Sequence, residues 1–279
     1  MEAAAVKVLI IGYGHAGKRH AANAEALGHE VVVHDPPLGR EPAWEADAAV
    51  VASPPWLHFT ESLELLAKGI PALVEKPFCL PHQLEATRLA VDAAHVPVMV
   101  GHNLFWSDDW HRFREGMPGV PAVYRATFAY DLRRQLGERV DSYQRHVDQG
   151  GGVLLDCVQD IALALDVVGP VTRVQGLHGR LGDVTEDADD CADLCGRSDS
   201  GRTFVSWHFD YLNRVRIRRH EAWGGDWSRV WDELPDPESY RRMLDAFLTW
   251  VRTGREPSVT STGSAPDPFG ALEVVRAIG

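Results

Sequence analysis

Apolar and polar positions divide the chain into two stretches with different grammar. Up to residue 101, short continuous apolar runs alternate with longer segments of helical period. The runs 6–11, 30–34, 48–53, 70–75 and 97–101 lack the in-out alternation of a half-solvated strand and read as strands covered on both faces. Between them, 15–27, 56–68 and 82–95 read as helices, the first stopped by Gly28. Strand and helix in alternation predict a doubly wound parallel sheet, a Rossmann-type α/β domain over residues 1–101. Residues 35–47 leave only about a dozen positions where a helix and a further edge strand belong, so the sheet is expected to be shortened at that edge, with 36–44 a short connection.

After Gly101 the period changes. Residues 108–115 read as a helix and 122–130 as a strand, followed by a polar loop to Gln149. Gly150-Gly151-Gly152 then precedes an apolar helical run, 153–168. The segments 171–181, 190–197, 202–210 and 215–222 read as antiparallel strands, with Ser198-Asp199-Ser200-Gly201 as a hairpin turn. Helical patterns at 238–253 and 268–278 close the chain. An α+β domain over 102–279 with an open antiparallel sheet is expected, serving substrate binding and oligomerisation. Such a sheet has a face to cover, and the alternation of Phe204, Trp207 and Phe209 in 202–210 points to a homo-oligomer, a dimer in the simplest case.

Composition narrows the function classes. The 279 residues hold 40 acidic against 28 basic side chains, a formal charge of -12 that disfavours nucleic acid and anionic membrane as partners. Met1-Glu2-Ala3-Ala4-Ala5 lacks the basic region of a signal peptide, and no apolar segment is long enough to span a bilayer. Four cysteines are few for a disulfide scaffold and fit a reducing, cytoplasmic setting. Cys191 and Cys195 fall four apart in a predicted strand, roughly 13 Å from each other, too far to bond. The thirteen histidines include no HExxH pair, so no metal is expected.

The chemistry concentrates where the first strands end. The strand 6–11 runs into Gly12-Tyr13-Gly14-His15-Ala16-Gly17, followed by a helix. In a GxGxxG turn so placed, the first glycine permits the tight turn, the second lets backbone approach a pyrophosphate, and the third lets helix and strand pack closely. The helix N-terminus offers free N–H groups to the phosphates. Asp35, at the end of the second strand, has the spacing of the acid that holds an adenosine ribose. A carboxylate there repels a 2′-phosphate, and no arginine stands closer than Arg40, which favours NAD over NADP. Lys76, in Glu75-Lys76-Pro77, ends another apolar strand on the same side of the sheet. The chain has only four lysines, Lys7, Lys18, Lys68 and Lys76, so a cation able to lose a proton is scarce and Lys76 is the first candidate for proton transfer. The alternative for Lys76 is a structural partner of Glu75.

Order and spacing of four motifs give a wider resemblance. Gly12 to Gly17, Ser53-Pro54-Pro55 with His58, Glu75-Lys76-Pro77, and Gly150-Gly151-Gly152-Val153-Leu154-Leu155-Asp156 together resemble the Gfo/Idh/MocA oxidoreductase family over nearly the whole chain. The resemblance implies NAD(P)-linked redox chemistry on sugars, cyclitols or related polyols. It further implies that Ser53 and Pro54 line the nicotinamide ribose, with His58 and Glu75 counted among the cofactor-binding positions. Pro77 is expected to be cis, Lys76 to contact the reacting hydroxyl, and Asp156 to face the substrate. His102 and Asn103 fall at a YNL-type family motif and, with Tyr143 and Asp160, are candidate substrate contacts. Trp106, Trp110 and His111 are candidates for stacking on a sugar face. One departure matters: the family's histidine after Asp156 is absent, and Gln159 stands in its place, unable to act as a base. Lys76, Asp156 and Gln159 are therefore the catalytic candidates for an NAD-dependent dehydrogenase or reductase. The alternatives are an enzyme that retains NAD through oxidation and re-reduction, and an inactive NAD-binding scaffold.

Overall fold

The computed structural model describes residues 4–36, 44–137, 139 and 141–278. Two compact units emerge, one of Met1–Trp106 with Asp236–Pro268, the other of Ser107–Pro235 with Phe269–Gly279.

In the first unit, five parallel strands run β1 (Lys7–Ile11), β2 (Glu30–His34), β3 (Ala48–Val51), β4 (Ala72–Glu75) and β5 (Val98–Gly101), in the spatial order β2-β1-β3-β4-β5. Apart from Lys7 at the start of β1 and Glu75 at the end of β4, the strands β1, β3 and β4 are apolar and almost wholly buried, because helices cover both faces of such a sheet. The connecting helices are α1 (His15–Ala26), α2 (Pro55–Ala67) and α3 (Leu84–Ala93). Among the described residues no strand stands between β2 and β3. The expected short connection over 36–44 lies outside the described residues except at its ends. At one of these, the Trp44 ring packs 6.4 Å from the His34 ring and under the Lys68 ammonium at 4.9 Å.

The helical pattern at 238–253 is observed with those bounds but belongs to this first unit. Its apolar face, with Met243, Leu244, Phe247 and Leu248 fully buried, packs on α1 and on the short 3₁₀ helix Asn103–Trp106. Periodicity shows that a helix is amphipathic and not which layer receives its face, so the expected division into 1–101 and 102–279 had no way to place it.

In the second unit, α4 (Asp108–Glu115), β6 (Val123–Asp131) and α5 (Leu132–Leu136) lead to the glycine-rich turn, α6 (Val153–Asp156) and α7 (Val158–Val168). The expected single helix 153–168 is thus broken at Cys157, and α5 falls in the segment read as loop. The strands β7 (Val171–Gly179), β8 (Cys191–Ser198), β9 (Phe204–Asp210), β10 (Leu212–Trp223) and β11 (Ser228–Asp232) join β6 in one six-stranded sheet, β11-β10-β6-β9-β8-β7, and α9 (Gly270–Arg276) completes the unit. The expectation of an all-antiparallel sheet is corrected in one pair: β6 and β9 run parallel. The chain between them is long enough for a crossover, which a parallel pair requires and a hairpin cannot supply. β11 lacks a clear alternation and was not read from the sequence. The alternation in β9 holds, but it separates the aromatics that seemed to form one patch. Trp207 and Phe209 are buried against the helices and only Phe204 is exposed, because residues an odd number apart face opposite sides.

A polar cluster crosses the core of this unit. Asp160 of α7 is fully buried; its Oδ1 lies 3.0 Å from His220 Nε2 and 3.2 Å from Arg218 Nε. His220 Nδ1 accepts from Tyr124 at 2.7 Å, and Arg218 reaches Glu233 at 3.2 Å while lying 3.7 Å from the Phe128 ring. Burial alone would push the Arg218 pKa down, but the Asp160 and Glu233 charges raise it instead. Trp110 and Trp231 pack edge-on around His220 at 5.4 and 5.2 Å. Removing one partner of such a network strands a buried charge. Asp160→Leu is expected to lower unfolding stability by on the order of 3 kcal/mol in urea titration, and adding Arg218→Met should recover a large part of it.

Candidate active site

Each strand from β2 to β4, in spatial order, delivers one candidate to the carboxyl edge of the first sheet: Asp35 after β2, Gly12 after β1, Ser53 after β3 and Lys76 after β4. This is the side on which parallel sheets bind ligands. The three glycines have three separate reasons. Gly12 has φ +84°, and a Cβ there would lie 2.6 Å from the Ser53 backbone. A Cβ on Gly17 would stand 1.9 Å from the Gly12 carbonyl oxygen, so α1 can start this close to β1 only without one. At Gly14 nothing lies within 4 Å, which leaves a bare backbone edge at the start of a twelve-residue helix. A pyrophosphate would find backbone N–H groups, a partial positive charge and no side chain in the way. The residues present therefore fit NAD.

Asp35 Oδ2 accepts the Tyr13 backbone N–H at 3.1 Å, which ties the glycine turn to the end of β2. A carboxylate retains acceptor capacity beyond one such bond, enough for a ribose hydroxyl. His15 and Ala16 open α1, where His15 Nε2 lies 2.6 Å from an Arg19 nitrogen. The Ser53 hydroxyl donates to Glu61 of α2, and burial pushes the Glu61 pKa up against the pull of that hydrogen bond. Pro54 is the N-cap of α2.

His58 lies within α2. It is buried, with Nδ1 2.7 Å from the Pro77 carbonyl oxygen and Nε2 2.8 Å from that of Ser53. Its ring thus lies between the two loops that follow β3 and β4. Burial pushes its pKa down, against the two carbonyls and the Glu75 charge. A ring with one N–H donates to only one carbonyl, and the doubly protonated form that would serve both is the form burial disfavours. The Lys76–Pro77 bond is cis, as the resemblance implied. Glu75 also turns inward, to His20 of α1 at 2.7 Å.

Three further candidates of this unit make internal contacts. His102 is buried with its ring 6.1 Å from that of Phe105. Asn103 Nδ2 donates to Ser239 Oγ at 2.9 Å, pinning the first turn of α8 (Glu238–Thr253). Trp106 is buried, and its carbonyl accepts from Arg242 Nε at 2.7 Å.

In the second unit the glycine-rich turn places Asp156. Gly152 has φ +99°, and a Cβ there would lie 2.2 Å from Asp189 Oδ1. Asp189 holds the turn by accepting from Val153 N at its carbonyl, 2.9 Å, and from Leu154 N at Oδ2, 3.0 Å. Asp156 Oδ2 in turn accepts from the hydroxyls of Tyr130 and Tyr211 and from Gln144 Nε2, the last two at 3.3 Å. Burial, followed by the Asp156 charge, pushes both tyrosine pKa values well above the usual range, so the phenols remain donors. Tyr143 lies on the 3₁₀ helix Tyr143–Arg145 and couples electrostatically to the same two tyrosines. Gln159 is buried on α7. Asp160 is fully buried, with His220 and Arg218 as partners inside the unit. Trp110 is likewise core, with no exposure. His111 stays on the α4 surface beside Arg114, its Nδ1 3.3 Å from that guanidinium.

Sequence reasoning missed His20, Gln144, Tyr130, Tyr211 and Asp189. Tyr130 and Tyr211 sit at or just past the ends of β6 and β9, and only the parallel pairing of those strands brings them to one carboxylate. A glycine at Gly152 hinted at crowding, but nothing in its spacing named Asp189 as the cause.

Residues 22–102 match the model of the Gfo/Idh/MocA family, described as an oxidoreductase family with an NAD-binding Rossmann fold. No curated protein matches the chain by sequence. Among solved structures, the chain is similar to GenD2 from gentamicin A biosynthesis in complex with NAD, with TM-score 0.82 and 18% identity over 100% of this chain and 94% of that one. It is also similar to UDP-N-acetylglucosamine 3-dehydrogenase GnnA from Acidithiobacillus ferrooxidans, with TM-score 0.78 and 18% identity over 99% and 96% of the two chains. A third is scyllo-inositol dehydrogenase from Lactobacillus casei with bound NAD(H) and scyllo-inositol, at TM-score 0.76 and 16% identity over 99% and 96%. At these identities the likeness is one of fold.

The glycine geometry separates binding from folding. Gly14→Ala is expected to leave the melting temperature unchanged and weaken NAD about ten-fold or more, or about 1.4 kcal/mol, in calorimetric titration. Gly17→Ala should instead lower stability by on the order of 1–3 kcal/mol, through the clash with the Gly12 carbonyl.

Proposed function

Because the chain carries, over residues 22–102, the NAD-binding Rossmann fold of the Gfo/Idh/MocA oxidoreductase family, we propose that it is an NAD-dependent dehydrogenase or reductase of a sugar-like or polyol substrate. The observation that supports this reading most is the delivery of the glycine turn, Asp35, Ser53 and Lys76 to one edge by four neighbouring strands. Bound NAD supplies the hydride acceptor. Gly12, Gly14 and Gly17 admit its pyrophosphate, Asp35 holds the adenosine ribose, and Ser53 and Pro54 line the nicotinamide ribose. Lys76 takes the hydroxyl proton as the carbinol carbon is oxidised, and returns it in reduction. Asp156, oriented by Tyr130, Tyr211 and Gln144, accepts a substrate hydroxyl, and Gln159 positions substrate or water without exchanging protons. Tyr143 is the further substrate donor of this reading. A cytoplasmic homo-oligomer is part of the same proposal. Among the described residues no helix is long and apolar enough to cross a membrane.

Gln159 in place of a histidine favours a second reading, in which NAD stays bound through oxidation and re-reduction, giving epimerisation, elimination or hydrolysis. A protein purified with NAD that turns over substrate without added cofactor supports it. A catalytically silent NAD-binding scaffold is the outcome if no polyol or keto-sugar panel gives turnover.

Two measurements test the first reading. NAD(H) is expected to bind at least about ten-fold tighter than NADP(H), about 1.4 kcal/mol, and equal affinity by calorimetry would remove Asp35 from its role. Lys76→Ala should keep NAD affinity within a few-fold while lowering turnover about 10²-fold or more, and Gln159→Ala should cost less. Turnover untouched by both substitutions would place the chemistry elsewhere.

A further inference from the structure

A largely buried acid, paired with a buried imidazole, immediately precedes the proposed proton-transfer lysine in the chain, all within the first unit. Glu75 ends β4, and its side chain is only 13% exposed, with Oε1 2.7 Å from His20 Nε2. It can lie inward because its neighbour on β5 is Gly101, where a Cβ would stand 3.0 Å from Glu75 Cα and 3.1 Å from Oε2. His20, three residues after Gly17 on α1, has no exposure, and among the described residues its Nδ1 has no hydrogen-bond partner. Tyr240 of α8 closes the cluster, its ring edge-on to His20 at 6.2 Å and under the Arg19 guanidinium at 4.0 Å.

The titratable and charged groups around Glu75 are thus His20 and Arg19 from α1, His58 from α2, Tyr240 from α8 and Lys76 next in the chain. Burial pushes the Glu75 pKa up. The His20 hydrogen bond and the His20, Lys76 and His58 charges outweigh it and leave the carboxyl below its ordinary value. An ionised carboxylate this well screened from water acts on a neighbouring ammonium more strongly than a surface one.

We propose that His20 and Glu75 form a positioning pair for Lys76, in which the imidazole fixes the carboxylate that precedes the lysine and the carboxylate sets the charge against which Lys76 gains and loses its proton. The inference rests on the reading of Lys76 as the proton-transfer group, but its test needs no turnover. With four lysines in the chain, reductive methylation with ¹³C-formaldehyde gives one dimethyl-lysine signal for each, beside that of the amino terminus. Lys76→Arg assigns the Lys76 signal, and its titration is followed by NMR.

In Glu75→Gln, which keeps the shape and an acceptor for His20, the Lys76 midpoint should fall by about one pH unit or more, the scale of a lost neighbouring charge. Lys7, Lys18 and Lys68 should stay in place. His20→Leu should shift Lys76 in the same direction by less, and His20→Gln, which retains an N–H donor, should restore the midpoint. An unmoved Lys76 midpoint in folded Glu75→Gln overturns the proposal. If that variant does not fold, equal midpoints in His20→Leu and His20→Gln overturn it. Should the midpoints move as expected while Lys76→Ala leaves turnover intact, the pair stands and the proton-transfer role of Lys76 falls.

Discussion

A buried imidazole between two carbonyls holds the candidate site of the first unit in shape. His58 spans from the Ser53 carbonyl to the Pro77 carbonyl, and those two atoms belong to the loops that follow β3 and β4. Parallel strands leave their end loops without ladder partners, so something other than the sheet must fix them. A side chain from α2, the helix between the two strands, does so from inside. Glu75 is turned in the same way from the end of β4 toward α1. Lys76 thus stands on a loop held from behind by two helices, which suits a group whose usefulness depends on a fixed position and a fixed electrostatic background.

The second unit meets the same problem by different means. Asp156 follows a short helix of four residues, too short to hold itself, and its carboxylate is oriented by two phenols and an amide. The turn before it is fixed by Asp189, for which Gly152 makes room. One turn further on, Asp160 ties α7 to the sheet through His220 and Arg218. Asp156 and Asp160 are four apart on one apolar stretch, yet one carries hydroxyl contacts and partial exposure while the other is sealed in the core. The break at Cys157 accounts for the difference, because it turns the two carboxylates to different surroundings.

Elements whose signal is local were legible in advance. The glycine fingerprint, the buried strands of the first sheet, the bounds of α4 and α8, and the hairpin turn at Ser198 to Gly201 all follow from residues within a few positions of one another. Even there, the aromatics of β9 showed how one misjudged parity merges two faces: the period was read correctly, and Phe204 was grouped with side chains that point the other way.

The sequence by itself determined which residues could do chemistry. Glycines that must be glycines, an acid at the end of β2, and one lysine after β4 are set by backbone sterics and charge, and both act over short spans of chain. Only tertiary structure decided which internal partner each polar residue meets. His58, His102, Asn103 and Asp160 looked alike as candidates, and all four are buried, His58 against Pro77, Asn103 against Ser239 and Asp160 against His220. A polar side chain carries no local mark of its partner. Its role follows from which donor or acceptor the folded chain brings within about 3 Å, and that is fixed by strand order and helix packing over separations of up to 136 residues.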